Sequence, residues 1–265
     1  MGPSLALSLL LLCLSIAVVT GVSPKKGLSF GAAKCSDFPA VTGKISWWYD
    51  WKATGKNQCH PNIEYVPMIW GLGSMNSITS IHGEKYLLGF NEPNFHAQSN
   101  IMPETAAEKW MEIQKQVPSS VKLVSPAAAP CNPKTGQCSM QYNEWFSRFF
   151  AKCKQLGCRI DYVATHSYTC NANSLMGFLT AVHNQVKKPI WLTEFACPNT
   201  NNNVAPIMSF MRAAVPMLEK SSFIFRYAWF ESRLSHAQGH FLGTSTSILD
   251  NSGKLTHLGQ LYLSL

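Results

Sequence analysis

The chain has no N-x-Ser/Thr acceptor, so N-glycosylation is not expected. It has no CxxC pair and no His-rich metal-ligand pattern, which argues against a structural metal site. A glycine-rich phosphate fingerprint follows none of its apolar runs, which removes the main signature of a nucleotide-binding open sheet. The net charge of +8 is spread out, with no basic run beyond Lys25-Lys26 and Lys187-Lys188. A solvated basic surface follows, suited at most to an anionic wall or polysaccharide matrix. No nucleic-acid partner is expected. After residue 19 no apolar run is long enough to cross a bilayer.

What is present begins with the stretch Leu5 to Val19, apolar apart from Ser8 and Ser15, followed by Thr20, Gly21 and Ser23. A short apolar core with a small-residue exit predicts a secretory signal peptide over residues 1–23. The competing reading, a membrane anchor, needs roughly 20 apolar residues. The remainder, 24–265, is roughly 240 residues, within the range of one large α/β barrel domain. Of nine cysteines, Cys13 falls in the leader, and the even remainder argues for disulfides in a secreted chain. Local spacing suggests Cys131 with Cys138 and Cys153 with Cys158.

Eight short runs, mostly β-branched or aromatic, are bounded by Gly, Pro, Asn or Asp: Gly27–Ala32, Ile45–Trp51, Tyr65–Gly71, Tyr86–Phe90, Lys122–Ala128, Ile160–His166, Ile190–Phe195 and Phe223–Trp229. Their near-continuous apolar character fits parallel strands covered on both faces. Helix patterns lie between the later runs: Pro103–Val117, Asn143–Leu156 with Asn143 capping, Ser174–Val186 with Ser174 capping, Val204–Lys220 and Thr256–Leu263. Pro216 predicts a kink or break near Val215. The crossovers after the first three strands are short or poorly signalled, above all around Thr54–Ile63. Eight alternating units predict an α/β protein with a single (β/α)8 TIM barrel.

In such a barrel, catalytic side chains come from the carboxyl ends of strands. The fourth run, Leu87-Leu88-Gly89-Phe90-Asn91-Glu92-Pro93-Asn94, and the seventh, Pro189-Ile190-Trp191-Leu192-Thr193-Glu194, each end in a glutamate. Two carboxyls at one mouth are what glycosidic hydrolysis requires. Glu84, Glu144 and Glu231 are the rivals, and Glu231, two residues past Trp229, is kept as a substrate or supporting group. Sugar faces stack on aromatic rings. Trp70 and Trp229, at strand ends, are the expected platforms, while adjacent Trp47 and Trp48 must point to opposite faces, so one belongs to the core. Trp51 also lies near a strand end. Trp110, Trp145 and Trp191 read as packing. His166 and Tyr168 end the sixth run beside Glu194, and Tyr168 is placed to donate to it. Cysteines 170 and 197 follow adjacent strands at similar offsets, which favours their pairing and leaves Cys35 for Cys59.

The phrases Gly89-Phe90-Asn91-Glu92-Pro93-Asn94, Thr165-His166-Ser167-Tyr168 and Trp191-Leu192-Thr193-Glu194-Phe195 resemble glycoside hydrolase family 128, the glycosyl hydrolase catalytic core or alkali-sensitive-linkage group, within the large retaining (β/α)8 clan. The resemblance runs from Gly27 to Leu265. It implies a secreted endo-β-1,3-glucanase of the extracellular space or cell wall, acting with retention on a polysaccharide. Glu92 would be the acid/base, Glu194 the nucleophile, and Asn91 the residue bonded to the sugar 2-hydroxyl. The chemistry needs no cofactor or metal, and a monomer is expected. Two other functions fit the same residues: a non-catalytic β-glucan-binding barrel, and a β-mannanase or β-1,4-glucanase of the clan.

Overall fold

The computed structural model describes residues 21–31, 33–55, 59, 62–198, 200–234 and 242–265. Most of the expected signal segment, 1–20, and Ala32 at the end of the first expected strand lie outside the described residues. Eight parallel strands follow in chain order: β1 (Lys26–Ser29), β2 (Trp47–Tyr49), β3 (Glu64–Tyr65), β4 (Tyr86–Leu88), β5 (Lys122–Val124), β6 (Val163–Tyr168), β7 (Ile190–Ala196) and β8 (Ile224–Trp229). Six form one sheet in the order β3-β2-β1-β8-β7-β6, and β4-β5 form a second. Two isolated parallel bridges, Met68 with Leu88 and Val124 with Tyr162, join the sheets at both edges and complete the ring.

The strands are shorter than their apolar runs. In β3 the cause is Pro67, which has no N–H to give the ladder. Its carbonyl still accepts from Leu88 N at 2.9 Å, and Met68 N turns to Lys52 O at 2.8 Å. Alternation divides the side chains into two apolar layers. Trp47, Tyr49, Val66, Met68, Leu88, Val124, Ala164, Trp191 and Ala228 fill the barrel. Trp48, Leu87, Phe90, Leu192, Phe195 and Trp229 face the surrounding helices. Both Trp47 and Trp48 are therefore core, one in each layer. At the floor, Arg226 pairs with Glu64 at 2.5 Å and lies over Tyr86 and Trp191. A buried cation needs such a partner.

Five helices cover the later crossovers: α1 (Pro103–Gln116), α2 (Tyr142–Leu156), α3 (Ala172–Val186), α4 (Val204–Lys220) and α5 (His257–Ser264). Among the described residues, the earlier crossovers use the 3₁₀ turns Cys35–Ala40 and Leu72–Ser80 and irregular chain. Two caps differ from expectation. Gln141, not Asn143, precedes α2. Asn171 caps α3 by accepting from Ser174 N at 2.9 Å, so Ser174 supplies the donor. α4 continues through Pro216, because Phe210, Met211, Ala214, Val215 and Leu218 bury its inner face on either side of the proline. The four cysteine pairs are 35–59, 131–138, 153–158 and 170–197.

Two residues of the Gly89–Asn94 phrase explain how β4 is seated. A Cβ on Gly89 would stand 2.7 Å from Pro126 N and from the Trp110 ring, so only glycine lets β4 approach β5 and α1 this closely. Asn94 is fully buried. Its amide donates to Ala129 O (2.8 Å) and Met140 O (3.2 Å), and its Oδ1 accepts from Ala129 N (3.1 Å), which ties the loop after β4 to the loop after β5. Asn94→Ala leaves buried backbone groups unpaired and is expected to lower unfolding free energy by about 2–3 kcal/mol. A urea midpoint equal to that of the unsubstituted protein would contradict this.

Candidate active site

The carboxyl ends of the strands open into a cleft of about 450 Å³, lined among others by Trp51, Trp70, Asn91, Glu92, Tyr168, Glu194, Phe230 and Glu231. A second cavity of about 300 Å³ shares Glu92 and Tyr168 with it and is lined on its far side by Phe95, Pro130 and Phe178. Glu92 thus stands at the junction of two lobes.

Glu92 sits past the end of β4 with a φ of 38°, in the left-handed region that a non-glycine residue seldom occupies. Asn91 N donates to Trp70 O at 2.9 Å and Ile101 N donates to Pro93 O at 2.8 Å, so hydrogen bonds on either side hold the turn. Glu194 points from β7, where the register with both neighbours shifts: between Thr165 and His166 on β6, and between Leu192 and Phe195 toward β8. Such irregularities re-aim side chains at barrel rims. Here His166 is left opposite Glu194.

The near atoms of Glu92, His166 and Glu194 all lie within 4.8 Å of one another. His166 Nδ1 is 2.8 Å from Glu92 Oε1 and 3.4 Å from Glu194 Oε2, so one nitrogen serves both carboxyls. Glu194 is further held by the Tyr168 hydroxyl on Oε2, and on Oε1 by Trp51 Nε1 at 2.9 Å and the Tyr49 hydroxyl at 3.4 Å. These donors all suit an anion. Burial nonetheless raises Glu194 above the ordinary carboxyl range, and the charge of Glu92 adds to it; His166, Tyr168 and Trp51 pull the other way. For His166, burial disfavours the cation, but Glu194 and Glu92 together outweigh it and the net shift is upward. The same three residues have the spacing of metal ligands. The oxygens of Glu194, however, already face N–H and O–H groups, which present hydrogens and not lone pairs to the space beside them. This donor chemistry fits a stabilised carboxylate.

Asn91 is buried beside Glu92; its Nδ2 donates to Gln98 Oε1 at 3.1 Å and its Oδ1 has no partner among the described residues. Trp70 lines the cleft and is half-buried. Trp229 does not serve as a platform. It is fully buried, packs against Phe195 at 5.0 Å and donates its Nε1 to Thr246 O, because alternation along β8 turns it to the helix layer. The next residue, Phe230, lines the cleft and sets its ring edge-on to Trp51 and Tyr168. Glu231 is buried in the same wall. The other rivals stand apart: Glu84 caps a turn at His82 and Gly83, and Glu144 pairs with Arg148 on α2.

Trp51, Tyr49, Gln98 and Phe230 are the site residues that sequence reasoning left out. The strand-end rule that singled out Glu92 could have found Trp51, two residues beyond β2. Its φ of 58°, which aims the indole across to Glu194, has no signature in the sequence.

The family description "Glycosyl hydrolase catalytic core" matches residues 27–262. A GH128 subgroup II endo-β-1,3-glucanase from Sorangium cellulosum superposes with a TM-score of 0.79 at 32% identity, over 91% of this chain and 98% of that one. A subgroup I endo-β-1,3-glucanase from Amycolatopsis mediterranei, in complex with laminaritriose, gives 0.72 at 28% identity, over 91% and 99%. A subgroup III curdlan-specific exo-β-1,3-glucanase from Blastomyces gilchristii gives 0.72 at 26%, over 91% and 98%. Alkali-sensitive linkage protein 1 of Schizosaccharomyces pombe is 28% identical over 253 residues, 92% of this chain, and the chain spans 45% of that protein's length. With the barrel and the strand-four and strand-seven glutamates in place, this chain belongs to the glycosyl hydrolase catalytic core family, GH128.

Proposed function

We propose that the chain is a secreted, retaining endo-β-1,3-glucanase, with residues 1–23 as its signal peptide. The observation that carries the reading is the pair Glu92 and Glu194, with near oxygens within 4.8 Å and His166 between them. Retaining glycosidases hold their carboxyls about 5–5.5 Å apart, close enough for one to reach the anomeric carbon directly; inverting ones need roughly 6.5–9.5 Å for a water.

Glu194 attacks the anomeric carbon as the glycosidic C–O bond breaks, and the leaving oxygen takes the proton of Glu92. Once Glu194 is esterified its charge is gone, so Glu92 is free to stay ionised. It then removes a proton from water, whose oxygen attacks the same carbon and releases Glu194. Trp51, Tyr49 and Tyr168 orient the nucleophile, and Asn91 faces the sugar 2-hydroxyl. Trp70 and Phe230 offer ring surface for sugar faces. The β-1,3 linkage follows the GH128 relatives, two of them endo-acting. The lobes on either side of Glu92 support cleavage within a chain that passes through the cleft. Four disulfide pairs suit an oxidising compartment.

Glu92→Gln and Glu194→Gln are each expected to cut hydrolysis of laminarin by at least about 10²–10⁴-fold, and NMR of the first products should find the β-anomer. Near-native rates in both variants, or an α-anomer, would sink the mechanism. Product analysis on laminari-oligosaccharides reports internal against terminal cleavage in the same experiment. The acid side of the pH–rate profile should track ionisation of Glu194. Tyr168 holds that pKa down, so Tyr168→Phe raises it and moves the acid limb to higher pH, with kcat falling by about 10–10²-fold. An acid limb that stays put or moves to lower pH contradicts the role given to Tyr168.

A further inference from the structure

Besides Glu92 and Glu194 the cleft is lined by Asp50 and Glu231, and the double displacement uses neither. Glu231 is 3% exposed and lines the same wall as Glu194. The chain makes room for it at Gly31, where a Cβ would stand 2.6 Å from Glu231 Oε2 and 3.1 Å from Oε1. The Gly31 N–H is its backbone donor. No salt bridge reaches Glu231 among the described residues. The cation whose charge reaches it, Arg233, gives Nη1 to Asp37 at 3.2 Å, Nη2 to the same carboxylate and Nε to Asp250 O at 2.8 Å, so it is committed elsewhere. Among the described residues, the ionisable groups around this corner are Glu194 from β7, Glu92 past β4, Tyr168 from β6, Tyr49 and Asp50 from β2 and its end, and, behind the two glutamates, His166. Of these only His166 can carry positive charge, and its Nδ1 is engaged by Glu92 and Glu194. Burial, with the charge of Glu194 behind it, pushes the Glu231 carboxyl up to about 8.

We propose that Glu231 acts as a neutral acid, a protonated carboxyl whose O–H donates a hydrogen bond to a hydroxyl oxygen of the sugar unit held beside Glu194. The inference rests on the glucanase reading for its ligand, but the protonation state belongs to the protein alone. A carboxylate in this place would repel Glu194 and could only accept from the sugar. The acid donates, and it adds no second charge beside Glu194, so the nucleophile keeps its charge for the anomeric carbon.

Two measurements test this. In the first, laminarihexaose binding to Glu92→Gln is followed by calorimetry from about pH 6 to about pH 9.5. The amide at position 92 prevents turnover and does not titrate. Affinity is expected to fall roughly tenfold per pH unit above the Glu231 pKa, and the fall should vanish in Glu92→Gln/Glu231→Gln, where the second amide still donates. An equal fall in both proteins overturns the proposal. In the second, thermal unfolding of the unsubstituted protein and of Glu231→Gln is compared across pH without ligand. A carboxyl whose folded pKa is raised binds more protons in the native state than in the unfolded one. Its stabilising effect is therefore full below about pH 4.5 and is lost as pH rises through about 8. The unsubstituted protein should lose melting temperature relative to Glu231→Gln across that window. A constant gap means that Glu231 is ionised throughout, and the proposal fails whatever the substrate is. Absence of laminarihexaose binding at every pH would count against the glucanase reading and leave the thermal comparison to decide the protonation state.

Discussion

Two carboxyl groups that repel each other are held within reach of one imidazole nitrogen, and much of the molecule is arranged around that constraint. Coulomb repulsion in a dry site is large and grows as water is excluded. Glu92 and Glu194 stay together because each is fixed by backbone that cannot relax away. β4 is seated by Gly89 against β5 and α1, and the loop after it is tied by Asn94. β7 is buried along its whole length and bonded on both sides. His166 then sits opposite Glu194 and bonds Glu92, which turns a repulsive pair into a three-membered network.

The donors around the two acids are distributed unequally, and that inequality fits the different roles proposed for them. Glu194 receives Tyr168, Trp51 and Tyr49, a set that favours a charged oxygen. Glu92 has His166 and faces both lobes of the cleft, which suits a group that must give and take a proton. Environments that treat two neighbouring carboxyls differently are how one site supplies an acid and a base at the same pH. Glu231 adds a third environment, buried and with no salt bridge among the described residues, and in the protonated form proposed for it completes the polar wall without adding charge.

Much of the architecture was legible before any coordinates. Apolar runs with turn residues at their ends located all eight strands, and period-3.6 patterning located α1 to α5 within a few residues. Strand lengths were not legible. The run Tyr65–Gly71 reads as one strand, yet Pro67 ends its ladder and a single bridge at Met68 carries the pairing to β4. The order of the strands around the ring, and its closure through two isolated bridges, came only from tertiary structure. Asn143 and Ser174 looked like caps because both residue types favour that position, but which residue caps depends on where the preceding loop leaves the helix.

The sequence by itself determined which residues could do chemistry: an acidic residue at the end of an apolar run has few bland explanations, and Glu92 and Glu194 stood out on that ground alone. It suggested four cysteine pairs from adjacent strand ends and short spacings, but eight cysteines allow 105 connectivities, and the tertiary structure decided among them. Tertiary structure decided which aromatic rings line the cleft. Trp229 and Phe230 are neighbours with similar claims, and a half-turn of the pleat sends the first into the helix layer and the second into the cleft. It decided Trp51 as well, whose left-handed backbone carries an indole across the barrel mouth to Glu194. Side-chain direction at a strand end depends on local φ and on the twist of neighbouring strands. Those are set by packing between segments far apart in the chain, which residue types and spacing do not encode locally.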